Sequence, residues 1–127
     1  MTLGVLKILI VEDSQGARDF LVAAARAIAG AEVHECPSGF EALRLLPRHR
    51  FDLIVTDIQM PDINGFELIN FVKKNPNYRA TPLVVVTAEP TDTHRERALS
   101  LGANEFLMKP FTAEAFQDVL RSLLRLT

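Results

Sequence analysis

Residues 51–65 read FDLIVTDIQMPDING. The opening of this stretch, 51–56, is a mostly apolar run of strand length rich in Leu53, Ile54 and Val55. Asp57 follows directly, and Asn64 with Glu67 three residues later has the spacing of a helix N-terminal cap. The stretch therefore predicts a buried strand, a carboxylate at its carboxyl end, a short loop and a helix.

The same texture extends in both directions. Apolar runs at 7–11 and 83–86 predict further strands covered on both faces. The segment 32–36 alternates polar and apolar residues and predicts a sheet edge, and 105–108 predicts a short fifth strand. Helical spacing fills the intervals. A first helix over 14–29 places Phe20, Leu21, Ala24 and Ile28 on one stripe, with Gly30 as its stop. A second starts at Ser38, with Glu41 in capping register, and ends at Pro47. The third runs from Asn64 to near Asn75-Pro76, and the fourth covers 91–101 and ends at Gly102. A fifth follows Thr112 with Phe116, Val119, Leu120, Leu123 and Leu124 on its apolar face. Five strands in strict alternation with five helices imply right-handed crossovers and a doubly wound α/β parallel sheet. In such sheets, sites form at the carboxyl ends of the strands.

Composition narrows the function classes. A chain of 127 residues that is 48% hydrophobic and 24% charged can bury one core, and a mean hydropathy of +0.13 speaks against disorder. A net charge of -2 and the lack of a long basic run argue against direct nucleic-acid binding, since the stretch 44–50 is interrupted by Leu45, Leu46, Pro47 and His49. The apolar runs are far short of the roughly 20 residues of a membrane span, and no signal-peptide layout is present. The single cysteine, Cys36, cannot form an internal disulfide and reads as a small buried hydrophobe; a cytoplasmic location is expected.

The polar residues at the strand ends carry the chemistry. Glu12 and Asp13 follow the first strand, Asp57 the third, Thr87 the fourth and Lys109 the fifth. All are expected on one edge of the sheet. Three neighbouring carboxylates repel, and Lys109 offsets only about one charge, so a divalent cation is the natural complement. Oxygen donors without histidine favour Mg²⁺; His34, His49 and His94 fall on other elements and read as surface or loop residues. Asp57 is the candidate nucleophile, since carboxylates form acyl phosphates. Lys109, the Thr87 hydroxyl and backbone N–H groups can stabilise charge on a transferring phosphoryl group.

Taken in order, Glu12-Asp13, Asp57 with Met60-Pro61 and Gly65, Thr87-Ala88 and Lys109-Pro110-Phe111 resemble the response-regulator receiver domains of two-component phosphorelay systems, over the whole chain. The resemblance implies a three-layer, flavodoxin-like (βα)5 sandwich with strand order 2-1-3-4-5, a single domain over 1–127 and no output domain. It implies that Asp57 takes a phosphoryl group from a phosphohistidine on a sensor kinase or histidine phosphotransfer protein. Glu12, Asp13, Asp57 and the backbone carbonyl of Gln59 would hold Mg²⁺, Glu12 through water, with Mn²⁺ as a substitute. Lys109 would contact the phosphoryl oxygens, Thr87 would swing in to bond them, and Phe106 stands in the place of the family's switch aromatic, often tyrosine. The Lys109–Pro110 peptide is expected to be cis. Gln59 and Glu89, each two residues beyond a site residue, are candidates for tuning phosphoryl lifetime. The signal would leave through the face of helix four, strand five and helix five to a protein target that the sequence does not name.

Three other readings are weaker. An aspartate-nucleophile phosphatase of the haloacid dehalogenase type needs a second Asp where Gln59 stands, and a cap domain. An unphosphorylated binding module would not need Asp57, Lys109 and the acid pair together. A flavin carrier of this fold would meet Glu12-Asp13 where the flavin phosphate must sit. The chain is accordingly expected to catalyse only its own phosphorylation and dephosphorylation.

Overall fold

The run that ends in Asp57 forms the central strand of a five-stranded sheet. The structure, a computed structural model, describes residues 5–88 and 91–125, so Glu89 lies outside the described residues. Strands β1 (Leu6–Val11), β2 (Ala31–Cys36), β3 (Leu53–Asp57), β4 (Leu83–Thr87) and β5 (Glu105–Met108) alternate with helices α1 (Gln15–Arg26), α2 (Gly39–Leu45), α3 (Gly65–Lys74), α4 (Asp92–Ser100) and α5 (Ala113–Leu124). The order is β2-β1-β3-β4-β5 and every pairing is parallel. Each residue of β3 and β4 is buried, whereas the edge strands β2 and β5 are largely half-exposed. This is the fold class that the alternation of apolar runs and helical stripes predicts.

Alternating side chains divide the core in two. Ile8, Ile10, Leu53, Val55, Val84 and Val86 pack with Leu21, Val22, Ala25 and Ile28 of the α1 region and with Phe116 and Leu120 of α5. On the other face, Leu9, Val11, Ile54 and Val85 pack with Ala42, Leu68, Ile69, Val72 and Ala98 from α2, α3 and α4. Helix α4 buries only Ala98, and its remaining residues are mostly charged or polar. It is therefore the helix held least by hydrophobic contact.

Every helix starts at a capped residue. Ser14, Ser38, Asn64, Thr91 and Thr112 each accept a hydrogen bond from the backbone N–H three residues on. Helix α1 stops at Arg26, three residues short of the expected end, because bonds from Ala27 to Ala24 and from Ile28 to Ala25 tighten its last turn. Gly30, at φ +83°, then turns the chain into β2. Phe20 does not join the buried stripe; it is 43% exposed and leans on Phe111 with ring centroids 6.1 Å apart. Pro47 lies within a 3₁₀ turn, Leu46–Arg48, just after α2 rather than at the helix end. Cys36 is buried, and its thiol is pushed up to about 12 by burial, which keeps it protonated.

Gly65 fixes how closely α3 approaches the end of β3. A Cβ there would lie 2.5 Å from both the Asp57 carbonyl oxygen and Ile58 Cα, while Gly65 N–H bonds to the Ile58 carbonyl at 3.0 Å. Gly65→Ala is expected to cost about 1–3 kcal/mol by forcing backbone apart. Gly16→Ala, where nothing lies within 4 Å, should be neutral or stabilising by up to about 1 kcal/mol. Urea unfolding of both variants checks the contrast, and equal effects would contradict it.

Candidate functional site

Register brings the strand ends level. Val11 pairs with Thr56 and Asp57 with Val86, so Glu12 emerges beside Asp57 and Thr87 one step further along. Thr87 pairs with Met108, and the Lys109 N–H donates to the Thr87 carbonyl at 2.8 Å. The four loops at this edge thus deliver Glu12, Asp57, Thr87 and Lys109 to one place.

Lys109 joins them. Its Nζ donates to Glu12 Oε1 at 2.7 Å and to Asp57 Oδ2 at 3.1 Å. Both carboxylates are almost enclosed, Glu12 being 1% and Asp57 6% exposed. The other oxygen of each is also occupied: Glu12 Oε2 accepts from Ser14 N–H and Asp57 Oδ1 from Gln59 N–H at 2.9 Å. Burial raises the Glu12 carboxyl above its ordinary range; the bond from Lys109 opposes this and the Asp57 charge adds to it. Burial by itself lowers the Lys109 ammonium, but its bonds to Glu12 and Asp57 outweigh that, so its affinity for the proton rises.

Asp13, the third expected acid, lies exposed at the lip of this pocket. Among the described residues, no three acidic, histidine or cysteine side chains already form a metal cage. The expected convergence of three carboxylates is thus incomplete, because Lys109 bridges the two buried ones while Asp13 stays in solvent. Two enclosed carboxylates against one ammonium still leave about one uncompensated negative charge, and every candidate donor is a hard oxygen, which suits Mg²⁺.

The remaining expected residues sit around this centre. Thr87 is fully buried at the end of β4, and Gln59 is exposed in the β3–α3 loop. Phe106 on β5 is half-buried against the α2–α4 face of the core, where Thr91, Asp92, Arg95 and Met108 join it around a surface cleft. The Lys109–Pro110 peptide is cis. Two contributors escape sequence reasoning. Arg18 of α1 bonds the Glu12 carbonyl through Nη1 at 2.9 Å and Glu35 through Nε at 3.0 Å. Asp62 caps the start of α2, accepting from Phe40 N–H at 3.0 Å. Neither follows a local spacing rule, since each partner lies on another element; the acid in the Pro61-Asp62 turn is the only cue the chain offers. His34, on the edge strand β2, and His49, in the loop before β3, read as surface or loop residues, are half-exposed there, with their rings packed on each other and on Phe51.

The raised Glu12 carboxyl has a measurable consequence. Just above the ordinary value of 4.5, the folded chain holds more of this proton than the unfolded chain, so this group's contribution to stability falls as pH rises through that window. Glu12→Gln is expected to flatten that part of the stability profile and to leave the acid limb of other carboxylates in place. Urea midpoints measured across mildly acidic pH check this; an unchanged slope would contradict it.

Comparison with known proteins agrees with this fold. Residues 8–121 match the family model for the response regulator receiver domain. The chain is 31% identical over 120 residues to a chemotaxis protein CheY homolog of Campylobacter jejuni, covering 94% of this chain and 92% of that one. Among solved structures, the chemotaxis response regulator CheY4 of Vibrio cholerae superposes with a TM-score of 0.86 at 32% identity, over 94% of this chain and 98% of that one. The receiver domain of sensor histidine kinase PA1611 from Pseudomonas aeruginosa, solved with a magnesium ion coordinated in its active-site cleft, gives a TM-score of 0.86 at 29% identity, over 96% and 99% of the two chains. A five-stranded parallel sheet in this order, with an acid and lysine cluster at its carboxyl edge, is thus found in a chain that belongs to the response regulator receiver domain family, the signalling modules of two-component systems.

Proposed function

We propose that Asp57 is the phosphoacceptor of a Mg²⁺-dependent phosphotransfer from a phosphohistidine on a sensor histidine kinase or histidine phosphotransfer protein. The observation that carries this reading is the Lys109 ammonium held between Glu12 and Asp57 at the carboxyl edge of the sheet. A cationic donor fixed beside a nucleophilic carboxylate is already placed for charge that develops during transfer. In the step itself, an Asp57 carboxylate oxygen forms the new O–P bond as the donor's N–P bond breaks. The leaving imidazole keeps the electron pair and takes a proton from solvent. Lys109 then turns from a counter-ion of two carboxylates into a partner for the phosphoryl oxygens. Asp57, Glu12, Asp13 and the Gln59 carbonyl are the candidates for holding Mg²⁺ (or Mn²⁺ in its place), which would neutralise oxygen charge on the transferring group. Water attack on the phosphorus ends the signal, and Gln59 and Glu89 are assigned to limiting that water's access.

The output reading rests on unequal packing. Phosphorylation replaces the single negative charge of the Asp57 carboxylate with about two on the phosphoryl group beside Thr87, whose hydroxyl is assigned to follow them. Phe106 lies half-buried on β5, next to a helix anchored in the core only through Ala98. A weakly anchored element is the one a small differential interaction can shift. The α4–β5–α5 face is thereby assigned as the surface that changes for a downstream protein target. The proposed location is cytoplasmic and the proposed partners are proteins; among the described residues no helix is long and apolar enough to cross a membrane.

Incubation with acetyl phosphate and Mg²⁺ is expected to add one phosphate to the intact mass, absent in Asp57→Asn and with EDTA. Mass is the natural readout because the chain has no tryptophan. Lys109→Met should slow the reaction by about 10²-fold, the usual cost of one lost charge-stabilising donor. Joint exchange of Gln59 and Glu89 should change the dephosphorylation rate modestly. An unmodified wild-type chain under several small phosphodonors would overturn the phosphoacceptor assignment.

A further inference from the structure

Glu12 and Asp13 share one peptide group, and that group is held from outside the site. Arg18 lies in the first half of α1, its backbone N–H bonded to the Ser14 carbonyl at 2.8 Å. Its guanidinium folds back over the β1–α1 loop, where Nη1 donates to the Glu12 carbonyl at 2.9 Å. Nε donates in turn to Glu35 Oε1 at 3.0 Å, near the carboxyl end of β2. The Arg18 side chain is 15% exposed and that of Glu35 41%, so the guanidinium is packed while its carboxylate partner stands at the surface. The neighbouring Glu12 N–H is pinned to the Cys36 carbonyl at 3.0 Å, on the same stretch of β2 as Glu35.

We infer that Arg18, oriented by Glu35, is a positioning residue for the acid pair. It holds the Glu12–Asp13 peptide plane so that the Asp13 side chain springs from the site edge beside Glu12 and Asp57. The inference rests on the phosphoacceptor reading above. Arg18 touches neither the cation nor the phosphoryl group in this role; it acts through the Glu12 carbonyl. The guanidinium presents its two donor edges in a fixed planar fork, one to the carbonyl and one to Glu35, whereas a lysine ammonium is a compact point charge on a flexible stem without that fixed geometry.

The sign of the effect separates this role from plain electrostatics. Arg18 is a positive charge close to a cation site. Were charge its whole contribution, removing it would tighten Mg²⁺ binding. As a positioning residue its loss must weaken binding, by about 10-fold on the scale of outer-shell partners in metal sites.

The test is a Mg²⁺ titration of the isotopically labelled full chain, followed by backbone amide shifts, for wild type, Arg18→Met, Arg18→Lys, Glu35→Gln and the exposed-pair control Arg121→Met. Arg18→Met is expected to weaken Mg²⁺ about 10-fold, with Arg18→Lys and Glu35→Gln intermediate and Arg121→Met unchanged. Phosphorylation by acetyl phosphate should need correspondingly more Mg²⁺ but reach a maximal rate within about twofold of wild type, since the reacting groups are intact. Should Arg18→Met fail to fold, Arg18→Lys carries the comparison, since it keeps the charge and loses the planar fork. Equal or tighter Mg²⁺ binding in folded variants would overturn the inference and leave the phosphoacceptor reading standing. A wild-type chain that does not respond to Mg²⁺ at all would overturn both.

Discussion

One ammonium group ties the molecule's polar edge together. Lys109 reaches Glu12 across 97 residues of chain and Asp57 across 52, and both acceptors are almost wholly enclosed. Enclosed carboxylates this close to each other are unfavourable without a counter-ion. The bridge can form only if the ends of β1, β3 and β5, with β4 between the last two, lie at matching heights and point the same way. That condition is what a parallel sheet with short connections provides, and an antiparallel arrangement of the same strands would scatter these residues to opposite edges.

The frame around the bridge is not equally firm everywhere. The opposite, amino-terminal edge is stitched by contacts between loops. Tyr78 donates to the carbonyls of Leu46 and His49, and Lys73 reaches the carbonyls of Arg79 and Thr81 and the Asn104 side chain. Asn104 also accepts from Leu83 N–H, so the starts of β4 and β5 are held together. At the site edge, α3 is pressed onto the end of β3 through Gly65, and α1 is bound to β1 and β2 through Arg18. Helix α4 has no comparable hydrophobic footing; its Arg97 instead rests on the Phe66 ring, 4.4 Å from the centroid. The apolar footing is thus deep at β1 and β3 and slight at α4, the helix to which the proposed output is assigned.

The two carboxylates of the bridge also divide their roles. Asp57 offers one oxygen to a backbone N–H and the other to Lys109, an arrangement that holds the carboxylate in one orientation. Glu12 is more deeply enclosed, and burial raises its carboxyl above its own ordinary value. A cation entering this edge would compete with Lys109 for both carboxylates, and under the proposed phosphotransfer the same lysine is the group that would turn toward an incoming phosphoryl oxygen.

Much of this is written locally in the chain. Apolar runs of strand length, helix caps three residues before their partners, and acids and a lysine placed directly after strands are short-range patterns, and they set the alternation, the fold class and the set of residues at the carboxyl edge. Errors of the local reading fall where neighbours in space decide: Phe20 faces solvent beside Phe111, and α1 tightens early. Tertiary structure alone decided that Lys109 takes both buried acids while Asp13 stays at the lip, and that Arg18 grips the Glu12 carbonyl from α1 with Glu35 at its back. Those contacts depend on the relative height of strands far apart in sequence, and no periodicity within one segment encodes the register between two.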